Sequence, residues 1–262
     1  MKPVIWSFGG GTQTNAMCIL IAQGKLPLPD RIVFADTGGE MSEVWDYMNK
    51  YTRPLLRSLG KEIEIAPHSL STVDFYGHNG DLLLPAFTQA GKLPTYCSKE
   101  WKALVVRRYI GGADGNPNGV IMWLGMSTDE IERMKSSDMK WIEHQWPLCD
   151  MPTKARFGIR MNRMECARLI HDFGWPPSPR SACVWCPHLD NVQWQRMKEY
   201  APSDFHRAIA VEKSVYMHDK RGGYGCIKAA NLLRRSTLAS QNKRHFSMNA
   251  TLATALCSSQ HT

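Results

Sequence analysis

The stretch VIWSFGGGTQTNAMCIL, at residues 4–20, decides the fold expected for this chain. A short apolar run leads into a glycine cluster flanked by hydroxyls and then into apolar residues at helical spacing, which predicts a strand, a tight loop and a helix. Glycines let backbone N–H groups approach an anion closely, and the amino end of a helix attracts phosphate. The alternative is an ordinary strand-to-helix turn. A Walker loop is excluded, because no Gly-Lys-Ser/Thr follows at the required spacing.

A second apolar run, at residues 31–35, ends in the polar, glycine-containing segment 36–40. A helical pattern then covers residues 42–59, and residues 62–66 alternate like a strand. The order β-α-β-α-β predicts an α/β fold with a parallel sheet and right-handed crossovers. Loops at the carboxyl ends of parallel strands meet at one edge of the sheet, where open α/β folds bind ligands.

Both loops resemble motifs of one family. The segment SFGGGTQT, at residues 7–14, resembles the PP-loop of the phosphoadenosine phosphosulfate (PAPS) reductase family and the N-type ATP pyrophosphatases. The resemblance implies an adenine nucleotide alpha-hydrolase-like (HUP-like) domain that binds ATP or a PAPS-type adenine nucleotide. It implies phosphate contacts from the first loop, through Ser7, Gly9, Gly10, Gly11, Thr12, Gln13 and Thr14. The second loop resembles the family's second motif and would face the nucleotide or a magnesium ion, through Asp36, Thr37, Gly38 and Glu40.

The first loop departs from the family's usual Ser-Gly-Gly-x-Asp-Ser at three positions. Gly9 replaces the first Ser, Gln13 replaces the Asp, and Thr14 replaces the last Ser. The resemblance therefore leaves open whether magnesium-assisted adenylation is retained.

The charge and cysteine content indicate the compartment and the kind of partner. Lys and Arg number 32 and Asp and Glu 24, which gives a net charge of +8 over 262 residues and suits a nucleotide, DNA or RNA. No apolar run approaches the length that spans a bilayer, and the amino terminus lacks a basic-then-apolar signal, so we expect a cytoplasmic protein without membrane association. Eight cysteines would then be reduced, and their clustering points to metal or redox chemistry.

The sequence predicts three regions. Residues 1–148 form the nucleotide-binding α/β domain, residues 149–236 form a helical, cysteine-bearing region, and residues 237–262 lose all pattern and form a poorly ordered tail.

Two later segments carry further candidate site residues. The helix that follows Cys97 resembles the family's segment with a substrate-facing lysine, so Lys99 is a candidate, although its spacing with Lys102 equally fits a solvated helix face. An apolar strand at residues 120–126 leads into Asp129, Glu130 and Arg133, which resemble the family's motif after its fourth strand. Acidic residues here are also explained by the first turn of a helix.

The pair Cys183 and Cys186 is the strongest chemical signal in the sequence. A C-x-x-C pair occurs in redox dithiols, zinc sites and iron–sulfur sites, and the spacing alone does not choose among them. The layout resembles DndC-like PP-loop proteins and adenylylsulfate reductases, which implies a [4Fe–4S] cluster on Cys97, Cys183 and Cys186. Either Cys166 is the fourth ligand, or the cluster has three cysteines and one open iron. Zinc is the alternative occupant. A buried core thiol is the alternative role for Cys166.

The resemblance implies an enzyme that transfers sulfur by an ATP-dependent, adenylating route, or that modifies nucleic acid or a nucleotide. Asp36, Lys99, Asp129 and Arg133 are its candidate catalytic residues, and a sulfur-donor protein is an expected partner. One alternative is a thiol-dependent reductase of PAPS or adenylylsulfate. Another is a nucleic-acid-binding protein on the same fold that has lost its chemistry. The sequence leaves the oligomeric state open.

Overall fold

The structure is a computed structural model. It describes residues 2–84, 87–88, 91–92, 96–111, 115–150, 156–186 and 188–222. The predicted tail, at residues 237–262, lies outside the described residues.

A five-stranded sheet forms the framework, and all of its strand pairs are parallel. Its strands are β1 Val4–Phe8, β2 Arg31–Ala35, β3 Ile63–Ala66, β6 Val120–Leu124 and β7 Ile142–Gln145. The spatial order is β3-β2-β1-β6-β7, and Ser7 of β1 lies opposite Val33 of β2 and Leu124 of β6. The α/β class with a parallel sheet is therefore confirmed, and the architecture is compatible with a HUP-like fold.

Helices connect and cover the strands. They are α1 Thr12–Ala22, α2 Ser42–Tyr47, α3 Arg53–Ser58, α4 Leu104–Gly111, α5 Arg163–Asp172, α6 Asn191–Tyr200 and α7 Pro202–Gly222. Helical residues Met48–Thr52 join α2 to α3, and Ser98–Ala103 lead into α4. Short helical turns occupy His68–Leu70 and Thr128–Arg133, and a two-stranded hairpin pairs β4 Phe87–Thr88 with β5 Gly91–Lys92. Among the described residues, no helix is long and apolar enough to cross a membrane.

The core forms where α4 packs on the sheet. Ile5, Val33 and Met122 of the strands join Val105 and Ile110 of α4 in one buried apolar cluster. The first helix is buried on nearly all sides, because residues 16–21 are each at most 5% exposed. A helix that is apolar on every face is stable only when other elements bury it on every side. Two of the elements that pack on α1 are α3 and α5.

The chain divides into two compact units. The first comprises residues 1–74 and 96–183, and therefore contains the whole five-stranded sheet and α5. The second comprises residues 75–95 and 184–262, and its described elements are the hairpin, α6 and α7. Cys183 falls in the first unit and Cys186 in the second. The three-region division inferred from the sequence stays a prediction.

The strand order fixes where a ligand crevice is expected. The chain leaves β1 toward β2 and β3 on one side, and it later returns to β6 and β7 on the other. In open α/β sheets such a reversal opens a crevice at the carboxyl ends of the two strands concerned. Here those strands are β1 and β6.

Candidate functional site

The loop after β1 lies at the strand end where this crevice is expected, and it leads directly into α1. Gly10 has φ +71°, and a Cβ there would lie 2.8 Å from Cγ1 of Val44, so both conformation and packing require glycine. Gly11 is the residue that precedes α1 and contributes no side chain to cap it. The first turn of α1 contains no acidic residue. The positive end of this helix therefore carries no capping or acidic side chain of its own.

The hydroxyls and amides of α1 have structural partners. Thr14 donates its hydroxyl to the carbonyl oxygen of Gly11 over 2.9 Å, which steadies the loop. Asn15 is 1% exposed, donates to Oγ of Ser178 over 2.7 Å and accepts from the hydroxyl of Thr52 over 3.0 Å.

The segment around residues 178–183 lies against both candidate loops. A Cβ on Gly11 would lie 3.3 Å from Cβ of Ser181, and the backbone N–H of Met41 donates to the carbonyl of Ala182 over 3.3 Å. Sequence reasoning missed Ser178 and Ser181 as neighbours of the first loop. They lie in a proline-rich connector, and no local pattern identified what they would contact.

The loop after β2 is built by short hydrogen-bonded turns. Asp36 accepts from the backbone N–H of Gly38 over 2.8 Å, and Gly38 adopts φ +68°. The Thr37 side chain turns inward and is 2% exposed, and its hydroxyl oxygen accepts from the N–H of Gly39 over 3.3 Å. Asp36 thus remains partly exposed at the sheet edge while Thr37 is buried.

Glu40 is a buried carboxylate that forms an ion pair with Lys102. Its side chain is 0% exposed, and Oε1 lies 2.7 Å from Nζ of Lys102, whose side chain is 37% exposed. Among the described residues, Oε2 of Glu40 has no hydrogen-bond partner. Burial of an unpaired charge is energetically unfavourable, so the ion pair with Lys102 offsets the desolvation cost of the Glu40 carboxylate.

The structure distinguishes the two lysines of the helix that follows Cys97. Lys102 contacts Glu40, whereas Lys99 is exposed and lies within electrostatic range of Asp138. Lys102 is therefore the lysine that reaches the loop after β2, a choice the sequence spacing did not make.

The loop after β6 contacts the first turn of α1. Nε2 of Gln13 donates to Oε2 of Glu130 over 2.8 Å and to Oγ of Ser127 over 3.1 Å. Arg133 pairs with the other carboxylate oxygen of Glu130. Gln13 thus acts as a donor to a carboxylate where the family's motif has an acid.

Asp129 has a structural role at the start of α5. Its Oδ1 accepts from the backbone N–H of Arg163 over 3.1 Å. A hydrogen bond from the Ser127 side chain, together with the N–H of Arg163, holds the pKa of Asp129 below its ordinary value. The carboxylate is therefore charged at neutral pH and engaged with the helix terminus.

The four cysteines proposed as cluster ligands lie in different surroundings. Cys166 is 0% exposed in α5, burial raises the pKa of its thiol to about 12, and it interacts with buried Cys149. Cys97 precedes the helical segment before α4, and Sγ of Cys183 lies 3.2 Å from the Thr37 hydroxyl. Cys186 belongs to the second unit. Its backbone carbonyl accepts a hydrogen bond from the N–H of Leu189, shortly before α6 begins.

Within the part of the chain that the structure describes, no group of three or more His, Cys, Asp or Glu side chains is arranged to hold a metal ion. Metal binding by Cys97, Cys166, Cys183 and Cys186 stays a prediction from the resemblance.

Comparison of the chain with models of known protein families found no match, and comparison with curated proteins found none either.

Proposed function

We propose that the chain binds an adenine nucleotide at the carboxyl edge of its parallel sheet, with the phosphates against residues 9–14. The observation that carries the proposal is the uncapped amino end of α1, which lies at the reversal of strand order between β1 and β6. Backbone N–H groups and the positive helix end stabilise phosphate at such a position. The loop after β2 places Asp36 at the same edge, where a ribose or base can meet it.

We propose further that the chain is an enzyme of the adenylating sulfurtransferase or PAPS reductase type. Support comes from the polar groups beside the nucleotide loop, because Glu40, Lys102 and Cys183 lie together at the neighbouring strand end. A lysine can contact a phosphate or sulfo group as a point charge, and a thiol can take part in sulfur chemistry. Nucleic acid or a nucleotide is the proposed acceptor, in keeping with the net charge of +8.

The binding proposal is tested by placing a negative charge at the start of α1. Thr12→Asp adds a carboxylate at the first helical position, where it stabilises the helix by about 0.3–1 kcal/mol but repels phosphate. We expect isothermal titration calorimetry with ATP, PAPS and adenylylsulfate to show at least about tenfold weaker binding, equivalent to about 1.4 kcal/mol, with an unchanged or higher Tm.

The matched control is Asn191→Asp, the same kind of change at the first position of α6 in the other unit. It should leave nucleotide affinity unchanged. Equal affinities in the Thr12→Asp and wild-type proteins would place the phosphates elsewhere, and a wild-type chain that binds none of the three nucleotides would overturn the proposal.

The reaction class is tested separately. Pyrophosphate release from ATP in the presence of a nucleic-acid acceptor supports adenylation, and sulfite release from PAPS with a dithiol supports reduction. Nucleotide binding with neither product would favour a binding protein on this fold.

A further inference from the structure

The magnesium ion that the family resemblance implies can be tested against the side chains at the carboxyl edge of the sheet. Magnesium takes oxygen ligands in a near-octahedral arrangement, and proteins usually supply them from one or two carboxylates beside the substrate phosphates. The motif position that is acidic in the family is Gln13 in this chain, and the first turn of α1 contains no acidic residue. The carboxylates to consider therefore come from the loop after β2 and from the helical turn after β6.

Glu130 is a carboxylate that lies against the first turn of α1, and donors engage both of its oxygens. Oε2 accepts from Nε2 of Gln13 over 2.8 Å and lies 3.5 Å from Oγ of Ser127, while Oε1 pairs with Arg133. These donors present protons to the lone pairs that a metal ion would need. A cation approaching Glu130 would also be repelled by the charge of Arg133. The donor set around Glu130 is therefore unsuited to magnesium.

Gln13 turns the positive side of its amide toward this carboxylate. Nε2 donates to Oε2 of Glu130 over 2.8 Å and to Oγ of Ser127 over 3.1 Å. A charged carboxylate only accepts hydrogen bonds, so the amide nitrogen, and not the amide oxygen, must face it. The amino end of α1 adds positive potential at the same place. Both effects disfavour a divalent cation beside the first turn of this helix.

Three further carboxylates of these segments have other surroundings. Oδ1 of Asp129 accepts from the backbone N–H of Arg163 over 3.1 Å. Glu40 is completely buried and lies 2.7 Å from Nζ of Lys102, so a hydrated ion would have to enter a closed position that already holds a cation. Asp36 is partly exposed, and one of its oxygens accepts a backbone N–H of its own loop. Of these three, Asp36 is the accessible carboxylate, and it belongs to the end of β2 rather than to the phosphate loop.

We propose that the nucleotide binds at this edge as the free anion, without magnesium, and that Gln13 determines this by engaging Glu130. The residues present do not fit the magnesium ion of the family's motif, because an amide, a hydroxyl and a guanidinium already surround that carboxylate. Backbone N–H groups and the positive helix end stabilise the phosphate charge instead. The inference rests on the proposed nucleotide site and specifies the form of nucleotide that the site takes.

Calorimetric titration of the wild-type chain with ATP, PAPS and adenylylsulfate tests the inference. Each nucleotide is titrated once in EDTA and once in excess magnesium chloride, at equal ionic strength, because salt screens phosphate contacts. We expect binding in EDTA with an affinity at least equal to that in magnesium, since magnesium itself complexes ATP.

The outcomes separate this inference from the nucleotide site itself. An affinity more than about threefold higher in magnesium, or binding in magnesium alone, would overturn the inference and leave the site in place. Binding of none of the three nucleotides under either condition would overturn both.

Gln13→Glu tests the role of this side chain. The change keeps the length of the side chain but sets a second carboxylate against Glu130, so nucleotide affinity in EDTA should fall at least about tenfold. Magnesium can then be held between two carboxylates, and it should raise the affinity at least about threefold. A Gln13→Glu chain that responds to magnesium no more than the wild type would contradict the role of Gln13.

The matched control is the double variant Gln13→Glu with Glu130→Gln, which keeps one amide and one carboxylate at exchanged positions. Its nucleotide affinity should again be independent of magnesium. A double variant that responds to magnesium as the single variant does would overturn the assigned pairing with Glu130. If Gln13→Glu alone does not fold, as its Tm would show, the wild-type titrations and the double variant still decide the question.

Discussion

Nε2 of Gln13 lies 2.8 Å from Oε2 of Glu130 and joins the first turn of α1 to the loop after β6. The two residues are 117 positions apart in the chain. The amide donates, the carboxylate accepts, and Ser127 shares the same donor. This contact lies in the first turn of α1, beside the loop against which the nucleotide phosphates are proposed to bind.

Gln13→Glu should destabilise the protein, because two carboxylates would meet where an amide now donates. We expect the free energy of unfolding to fall by about 2 kcal/mol, through the lost hydrogen bond and the uncompensated charge. Urea denaturation at pH 7 measures the change. The double variant Gln13→Glu with Glu130→Gln exchanges donor and acceptor and should recover much of the loss, and a double-mutant cycle gives the coupling. A single variant as stable as the wild type would show that the contact contributes nothing.

Lys102→Ala should be far more damaging than Lys99→Ala. The first change leaves the buried carboxylate of Glu40 without its cation, and removing one partner of a buried pair costs about 3 kcal/mol. Lys99 is exposed, and its loss should change stability by less than about 0.5 kcal/mol. Thermal and urea unfolding of both variants measure the difference.

The same two variants, Lys102→Ala and Lys99→Ala, also test whether the two lysines differ in nucleotide binding. If Lys102 contacts the nucleotide, its replacement should weaken binding while the matched Lys99→Ala chain binds normally. Equal stability of the two variants would contradict the assignment of Lys102 as the partner of Glu40.

Stability should fall at alkaline pH, in part through Cys149. Burial raises the pKa of its thiol to about 11, and the thiol donates to the carbonyl of Met126 over 3.1 Å. The unfolded chain loses this proton above its ordinary pKa of about 8.5, while the folded chain keeps it. The contribution of the Cys149 thiol to the free energy of unfolding is thus complete below pH ~8.5. It is lost as the pH rises toward 11, at up to about 1.4 kcal/mol per pH unit.

Cys149→Ser keeps a donor for Met126 but does not ionise in this range, so it should reduce the slope of unfolding free energy against pH. Cys97→Ser, at a partly exposed position, is measured in parallel as the comparison variant. Identical slopes in wild type and Cys149→Ser would contradict the assigned effect of burial.

The parallel sheet was predictable because its determinants are local. Each apolar run, glycine loop and amphipathic helix is encoded within about 20 residues, and the repeated β-α-β order leaves few topologies. The contact partners were not predictable in the same way. Lys99 and Lys102 are three residues apart and equally suited to one helix face, and only the packing of that helix decides which of them meets Glu40.

The cysteines illustrate the same limit. The family resemblance implied one ligand set for them. Only the tertiary structure shows that Cys166 of α5 is buried in the core and that Cys183 lies against Thr37. No periodicity in a single segment carries that information.

The sequence by itself determined the α/β class, the glycine loop at the end of β1 and the polar loop at the end of β2, because strand, turn and helix preferences act over a few neighbouring residues. The tertiary structure alone decided that Gln13 meets Glu130 and that Thr37 links Glu40 to Cys183. Such long-range pairs depend on how the strands are ordered and how the helices are rotated against the sheet, and burial and packing set both across the whole unit.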